Sequence, residues 1–164
     1  MDDLLQEFLA ETTESLGLLD GELVRLEETP DDVEILGNIF RVFHTIKGTC
    51  GFLSLPRLEK VAHAGEDLLS TFRENAALVT PEAVSLILRC IDAIRALVGA
   101  LEANGAEPET DHSGLIADLK AMVAAGEARA RLGAVDAGAF DEVAASDPAP
   151  APVSEQNELP ESGA

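Results

Sequence analysis

The residues best suited to chemistry lie between positions 40 and 66. The stretch "FRVFHTIKGTCGF" at 40–52 places His44, Lys47, Gly48 and Gly51 at i, i+3, i+4 and i+7, one strip along a helix. From Ile35 to Leu58 there is no Asp or Glu, although the 164-residue chain has 31 acidic against 11 basic residues and a formal charge of −20. Arg41, His44, Lys47 and Arg57 occupy this acid-free window. Such surroundings suit a histidine that takes up a dianionic phosphoryl group: nearby carboxylates would oppose the charge, whereas Lys47 and Arg41 would offset it. A glycine inside a helix costs up to about 1 kcal/mol relative to alanine. Two on the strip beside His44 make sense as clearance for an approaching macromolecule or phosphoryl group.

A second cluster answers the first. "SLPR" at 54–57 reads as the turn of a helical hairpin, with Ser54 as cap and Pro56 in the first turn of the following helix. His44 lies about ten residues before that turn, roughly 15 Å up the hairpin, and the equal height on the other helix falls near residue 65. His63 and Glu66 flank this level on one helical face. The spacing therefore predicts that Glu66, and with it His63, faces His44. A carboxylate bonded to one ring nitrogen fixes the tautomer and leaves the other lone pair free, the design of an activated nucleophile. Two alternatives stay open on these residues. His44, His63 and Glu66 make a His₂Glu set that could hold zinc, and the chain could be a helical docking scaffold without chemistry. Against the metal stand the single His-x-x-Glu pair and a lysine one turn from the cation.

The elements that must carry these residues are helical. Leu5, Leu9, Thr12, Leu16, Leu19, Leu23 and Leu26 form one stripe on a helix over 2–28. "ETPDD" interrupts it, and Asp31 or Asp32 caps a second helix striped by Leu36, Ile39, Phe43, Ile46, Cys50 and Leu53. The third presents Leu58, Val61, Ala62, Gly65, Leu68, Leu69 and Phe72. "TPE" at 80–82 starts a fourth, with Val84, Ile87, Leu88, Ile91, Ile94, Leu97, Val98 and Leu101, stopped by "NG" at 104–105. A fifth, shorter helix runs from about Ser113 to Gly126 or slightly beyond, with Leu115, Ile116, Leu119, Met122 and Val123. No stretch alternates like a strand. The fold class is all-α: an antiparallel four-helix bundle over 1–130 with a shorter fifth helix. Residues 131–164, ending in "DPAPAPVSEQNELPESGA", are expected to be a flexible, disordered tail or linker.

Composition excludes other classes. So acidic a chain is repelled by nucleic acid and by anionic membranes. The acidic start "MDDLLQEFLAETTE" does not read as an export signal, and no apolar run approaches the ~20 residues that cross a bilayer. A cytoplasmic location and a monomeric state are expected. The two cysteines, Cys50 and Cys90, read as buried free thiols.

At "FRVFHTIKGTCGFLSLPRLEKVAHAGEDLL" the chain resembles the N-terminal histidine-phosphotransfer (HPt) domain of the CheA chemotaxis histidine kinases, over roughly residues 1–125. The H-[ST]-I-K-G motif followed by H-x-x-E carries the resemblance. It implies that His44 is phosphorylated, that Glu66 hydrogen-bonds it, that Lys47 and His63 support transfer and that Gly48 is the small residue beside the phosphohistidine. Arg41, Thr45, Gly48 and Gly51 would then line the surface a partner meets. It also implies two partners, a CheA-type kinase catalytic domain using ATP with magnesium and the receiver domain of a CheY-type response regulator. No cofactor is expected on this chain itself. Nothing in it resembles an ATP-binding kinase domain, so it reads as a phosphoacceptor and relay rather than a complete enzyme.

Overall fold

The computed structural model describes residues 3–145. Five helices succeed one another along the chain: α1 (Asp3–Glu28), α2 (Val33–Leu53), α3 (Pro56–Glu74), α4 (Pro81–Asn104) and α5 (Ser113–Ala145), with a 3₁₀ turn at Ala76–Leu78. α1 packs on α2, α2 on α3, α3 on α4 and α4 back on α1, which closes a four-helix bundle. The chain divides into two compact units, Met1–Arg129 and Ala130–Ala164, and the bundle lies in the first.

The apolar stripes bury as their spacing predicts. Leu26, Ile39, Phe43, Leu58, Leu68, Leu69, Ile87, Ile94 and Leu101 have no exposed surface. Leu115 and Leu119 add α5 to the same core. Gly65 is part of this packing for a steric reason. A Cβ there would run into the Phe43 ring and crowd Cys90 Sγ, so glycine lets α3 sit close against α2. Both thiols are free and buried. Burial pushes each up to about 12, helped at Cys50 by the charges of Glu107 and Glu59.

Helix ends follow capping chemistry, with one correction. The Asp32 side chain accepts from the backbone N–H groups of Glu34 and Ile35, and that of Thr80 from Ala83. Gly105 closes α4 in the left-handed conformation, at φ 73°. Ser54, expected to cap α3, instead terminates α2, also left-handed at φ 58°. Leu55 occupies the N-cap position of α3 and makes no side-chain cap. The free N–H groups there are met from far along the chain: Glu107 Oε1 accepts from Arg57 N at 3.1 Å and Oε2 from Leu58 N at 2.7 Å.

The fifth helix is longer than its apolar period predicts. It continues through 131–145, which the sequence assigns to the linker. That segment holds Ala134, Ala137, Ala139, Ala144 and Ala145. Alanine is the strongest helix former and needs no apolar stripe to favour the helical state. The rest of the expected linker, residues 146–164, lies outside the described residues.

Candidate functional site at the rim of the bundle

α2 exposes its outer face between α1 and α3. On the α3 side of that face run Phe40, His44, Lys47 and Gly51; on the other run Arg41, Thr45, Gly48 and Phe52. α2 and α3 rise antiparallel from the 54–55 turn, so His44 and Glu66 meet at nearly equal height. His44 Nδ1 lies 2.9 Å from Glu66 Oε1. The histidine side chain is 63% exposed and that of Glu66 10%, so a buried carboxylate holds an imidazole whose far side faces solvent.

Lys47 completes the cluster. Its Nζ lies 2.8 Å from Glu66 Oε2 and gives that second carboxylate oxygen its positive partner. Burial alone would raise the Glu66 pKa. The hydrogen bonds from Lys47 and His44, with the charges of both, outweigh it and hold the carboxyl below the usual carboxylate range. An ionised Glu66 only accepts, so Nδ1 of a neutral His44 carries the proton and Nε2 keeps the lone pair.

The structure sorts the remaining sequence-predicted residues. Arg41 is exposed and donates to Asn38 Oδ1 at 3.1 Å, one turn back on α2. Thr45, Gly48 and Gly51 are exposed. A Cβ on Gly48 would meet nothing within 4 Å, and one on Gly51 would only touch the Glu59 carboxylate at 3.5 Å. The bundle therefore does not itself require glycine at these positions, as expected if the clearance serves an incoming molecule.

His63 is not brought to His44. Its Nε2 lies 3.5 Å from Asp67 Oδ2 on its own helix, and it lines a cavity of about 960 Å³ with Lys60, Arg57, His112 and Lys120. About sixty degrees round α3 from Glu66 is enough to turn it toward α5. The His₂Glu metal alternative loses its geometry with it, since Glu66 is bonded to Lys47 and His44 while His63 points elsewhere. Among the described residues no group of three His, Cys, Asp or Glu side chains is placed to hold a metal ion. None of their helices is long and apolar enough to cross a membrane.

A neighbour of His44 and the residue that holds it escape the sequence reading. Phe40 stacks on the His44 ring, centroids 6.0 Å apart and planes 15° apart, and the Arg73 guanidinium lies 4.5 Å from the Phe40 centroid. Phe40 was legible in principle, as the residue one turn before His44. Arg73 requires knowing that a helical side chain leans toward its own N-terminus, which on α3 carries it down to the level of Phe40.

Comparison with known proteins places this chain. The Hpt domain family matches residues 3–129. The sensor histidine kinase CheAY of Helicobacter pylori is 39% identical over 110 residues, which cover 65% of this chain and 14% of that protein. The chemotaxis protein CheA of Halobacterium salinarum is 34% identical over 123 residues, covering 75% of this chain and 18% of that protein. The chain thus spans less than a fifth of the length of these curated relatives. Among solved structures, the phosphorylated P1 domain of CheA3 in complex with CheY6 from R. sphaeroides superposes with a TM-score of 0.67 at 28% identity, over 76% of this chain and 98% of that one. A solution structure of the histidine phosphotransfer domain of CheA gives a TM-score of 0.64 at 27% identity, over 73% and 91% of the two chains. A helical bundle with a carboxylate-bound histidine on its rim, matched over most of its length by one family, is no longer open in its assignment: the chain belongs to the Hpt domain family and is similar, within it, to the phosphotransfer domain of CheA.

Proposed function

We propose that this chain is the phosphotransfer module of a CheA-type chemotaxis pathway. His44 accepts a phosphoryl group from ATP held, with magnesium, by a CheA-type kinase catalytic domain, and donates it to an aspartate of a CheY-type receiver. Both partners meet it in the cytoplasm. The observation that carries this reading is the 2.9 Å bond between His44 Nδ1 and Glu66 Oε1 on an imidazole that is 63% exposed.

The chemistry follows from that bond. The Nε2 lone pair attacks the γ-phosphorus, an N–P bond forms, the bond to the bridging oxygen breaks and ADP leaves. The ring, with a proton on Nδ1 and phosphorus on Nε2, is now cationic, and the Glu66 carboxylate stabilises it. Lys47 keeps Glu66 ionised and puts positive charge near the incoming phosphoryl oxygens. In the second step the receiver carboxylate attacks phosphorus, the N–P bond breaks, and its electron pair returns to Nε2 of a neutral ring. Arg41, Thr45, Gly48 and Gly51 form the surface on which either partner is seated. His63, paired with Asp67, supports transfer from outside this cluster.

The test is direct. Incubated with a CheA-type kinase and ATP, the chain should take up acid-labile phosphate at one site, mapped to His44, and lose it to a CheY-type receiver. His44→Gln should abolish labelling and keep the helical circular dichroism of the parent. Stoichiometric acid-labile labelling of His44→Gln would refute the assignment.

A further inference from the structure

We propose that Phe40 and Arg73 are positioning residues for the His44 imidazole: Phe40 fixes the ring plane by stacking on it, and Arg73 fixes Phe40. The inference rests on the reading of His44 as the phosphorylated nucleophile. One hydrogen bond at Nδ1 sets the tautomer but leaves the ring free to swing about the N–H···O line. At 63% exposure, solvent does nothing to stop that motion. In-line attack needs the Nε2 lone pair aimed at phosphorus, and small misplacements of a reacting atom are expensive in rate. A second, independent contact on the ring face removes this freedom.

Phe40 is suited to that role. It sits one turn before His44 on the same rigid helix and is itself half-buried against the core. The 6.0 Å centroid separation and 15° angle lie in the range of offset stacking. Arg73 then explains itself. In a chain with 31 acidic residues it has no carboxylate partner among the described residues; its guanidinium lies over the Phe40 ring instead, 4.5 Å from the centroid. A cation over an aromatic face holds both groups. The contacts run from α3 through α2 to the reactive ring, on the side away from Lys47. The hydrogen bond fixes which nitrogen reacts, and the stack fixes where it points.

The experiment uses the whole chain with labelled histidine, as wild type, Phe40→Leu, Phe40→Tyr and Arg73→Gln, each checked for a cooperative melt. The first measurement needs no phosphodonor: NMR relaxation of the His44 ring C–H groups, with ring ¹⁵N shifts to report the tautomer. Phe40→Leu should lower the ring order parameter, Arg73→Gln should lower it less, and Phe40→Tyr should restore it, while the Nδ1–H tautomer persists throughout. The second is labelling by a CheA-type kinase with ATP, where Phe40→Leu should cut kcat about 3- to 10-fold with KM nearly unchanged. Phe40→Tyr should recover the rate. Unaltered ring order in both Phe40→Leu and Arg73→Gln overturns the proposal, as does a loosened ring that reacts at the parental rate. Should Phe40→Leu not fold, the exposed Arg73→Gln change decides by the same two readouts. Failure of wild-type His44 to be labelled at all refutes the reading of function instead, and leaves ring order to judge the stack.

Discussion

Glu66 does two things at once, and its titration separates them. Its ionised form accepts the Nδ1 proton and thereby directs the lone pair to Nε2; its pairing with Lys47 anchors α2 to α3. Replacing it by alanine removes the orienting partner of the ring and should slow labelling of His44 by about 10- to 100-fold without abolishing it, the usual penalty for losing such a partner. The pH dependence follows from the direction of its shift. In the unfolded chain Glu66 takes a proton near the ordinary value of about 4.3, whereas in the folded protein it does so only at lower pH. Between those two values the unfolded state binds more protons, so stability rises with pH there. The contribution is fully present above the unfolded value and disappears as pH falls through the folded one. Denaturant melts of wild type and Glu66→Gln should therefore differ most near neutrality and converge below about pH 4. A gap that stays constant into acid would mean that the carboxylate charge is not what binds the two helices.

At the level of elements, the hairpin that presents His44 is held by a group outside it. The first N–H groups of α3 have no local side-chain acceptor, and Glu107, in the connection between α4 and α5, supplies one for two of them. A carboxylate at a helix N-terminus also meets the favourable end of the helix dipole. Glu107→Ala should cost about 1–2 kcal/mol of unfolding free energy, the range of a lost N-cap, measured by chemical denaturation. An unchanged midpoint would show that water or Ser54 replaces it. This contact also marks where sequence reading ends. The helices, their buried stripes and the Asp32 and Thr80 caps follow from local spacing and side-chain chemistry, and the level of His44 against Glu66 from counting residues out of one turn. Glu107 is 49 residues from Leu58, so no local pattern could announce it, and Ser54 looked like the cap because its left-handed conformation is a product of the turn. His63 was misplaced by azimuth rather than by height: equal level on a hairpin does not fix the direction a side chain takes round its helix. The burial of the Leu58, Val61, Ala62, Leu68, Leu69 and Phe72 stripe, with Gly65 close against Phe43, sets that rotation, and it turns Glu66 in and His63 out.

For the whole molecule the governing quantity is charge: of the chain's formal −20, residues 1–129, which hold the bundle, carry 24 acidic against 10 basic residues, a net −14. Folding brings carboxylates closer than they lie in the extended chain, so self-repulsion opposes the compact state. The ion pairs that could offset it are mostly exposed. His63 with Asp67, Arg89 with Asp118 and Arg95 with Asp20 all lie on the surface, where such pairs contribute little. The Lys47–Glu66 pair is the exception, and because Glu66 is buried, salt reaches it poorly. Added salt therefore screens the repulsion more than the attraction. Its Debye length falls from about 30 Å at 0.01 M to about 8 Å at 0.15 M, from the scale of the domain to less than one helix diameter. The Tm should rise over that range, each kcal/mol gained appearing as about 2–4 °C. The rise should be smaller in a variant carrying several Asp or Glu to Asn or Gln changes on the outer face of α1, far from the acid-free window, because less repulsion is left to screen. A Tm that falls with salt would mean that the surface pairs, not the burial of apolar stripes against a repulsive shell, hold the bundle that presents His44.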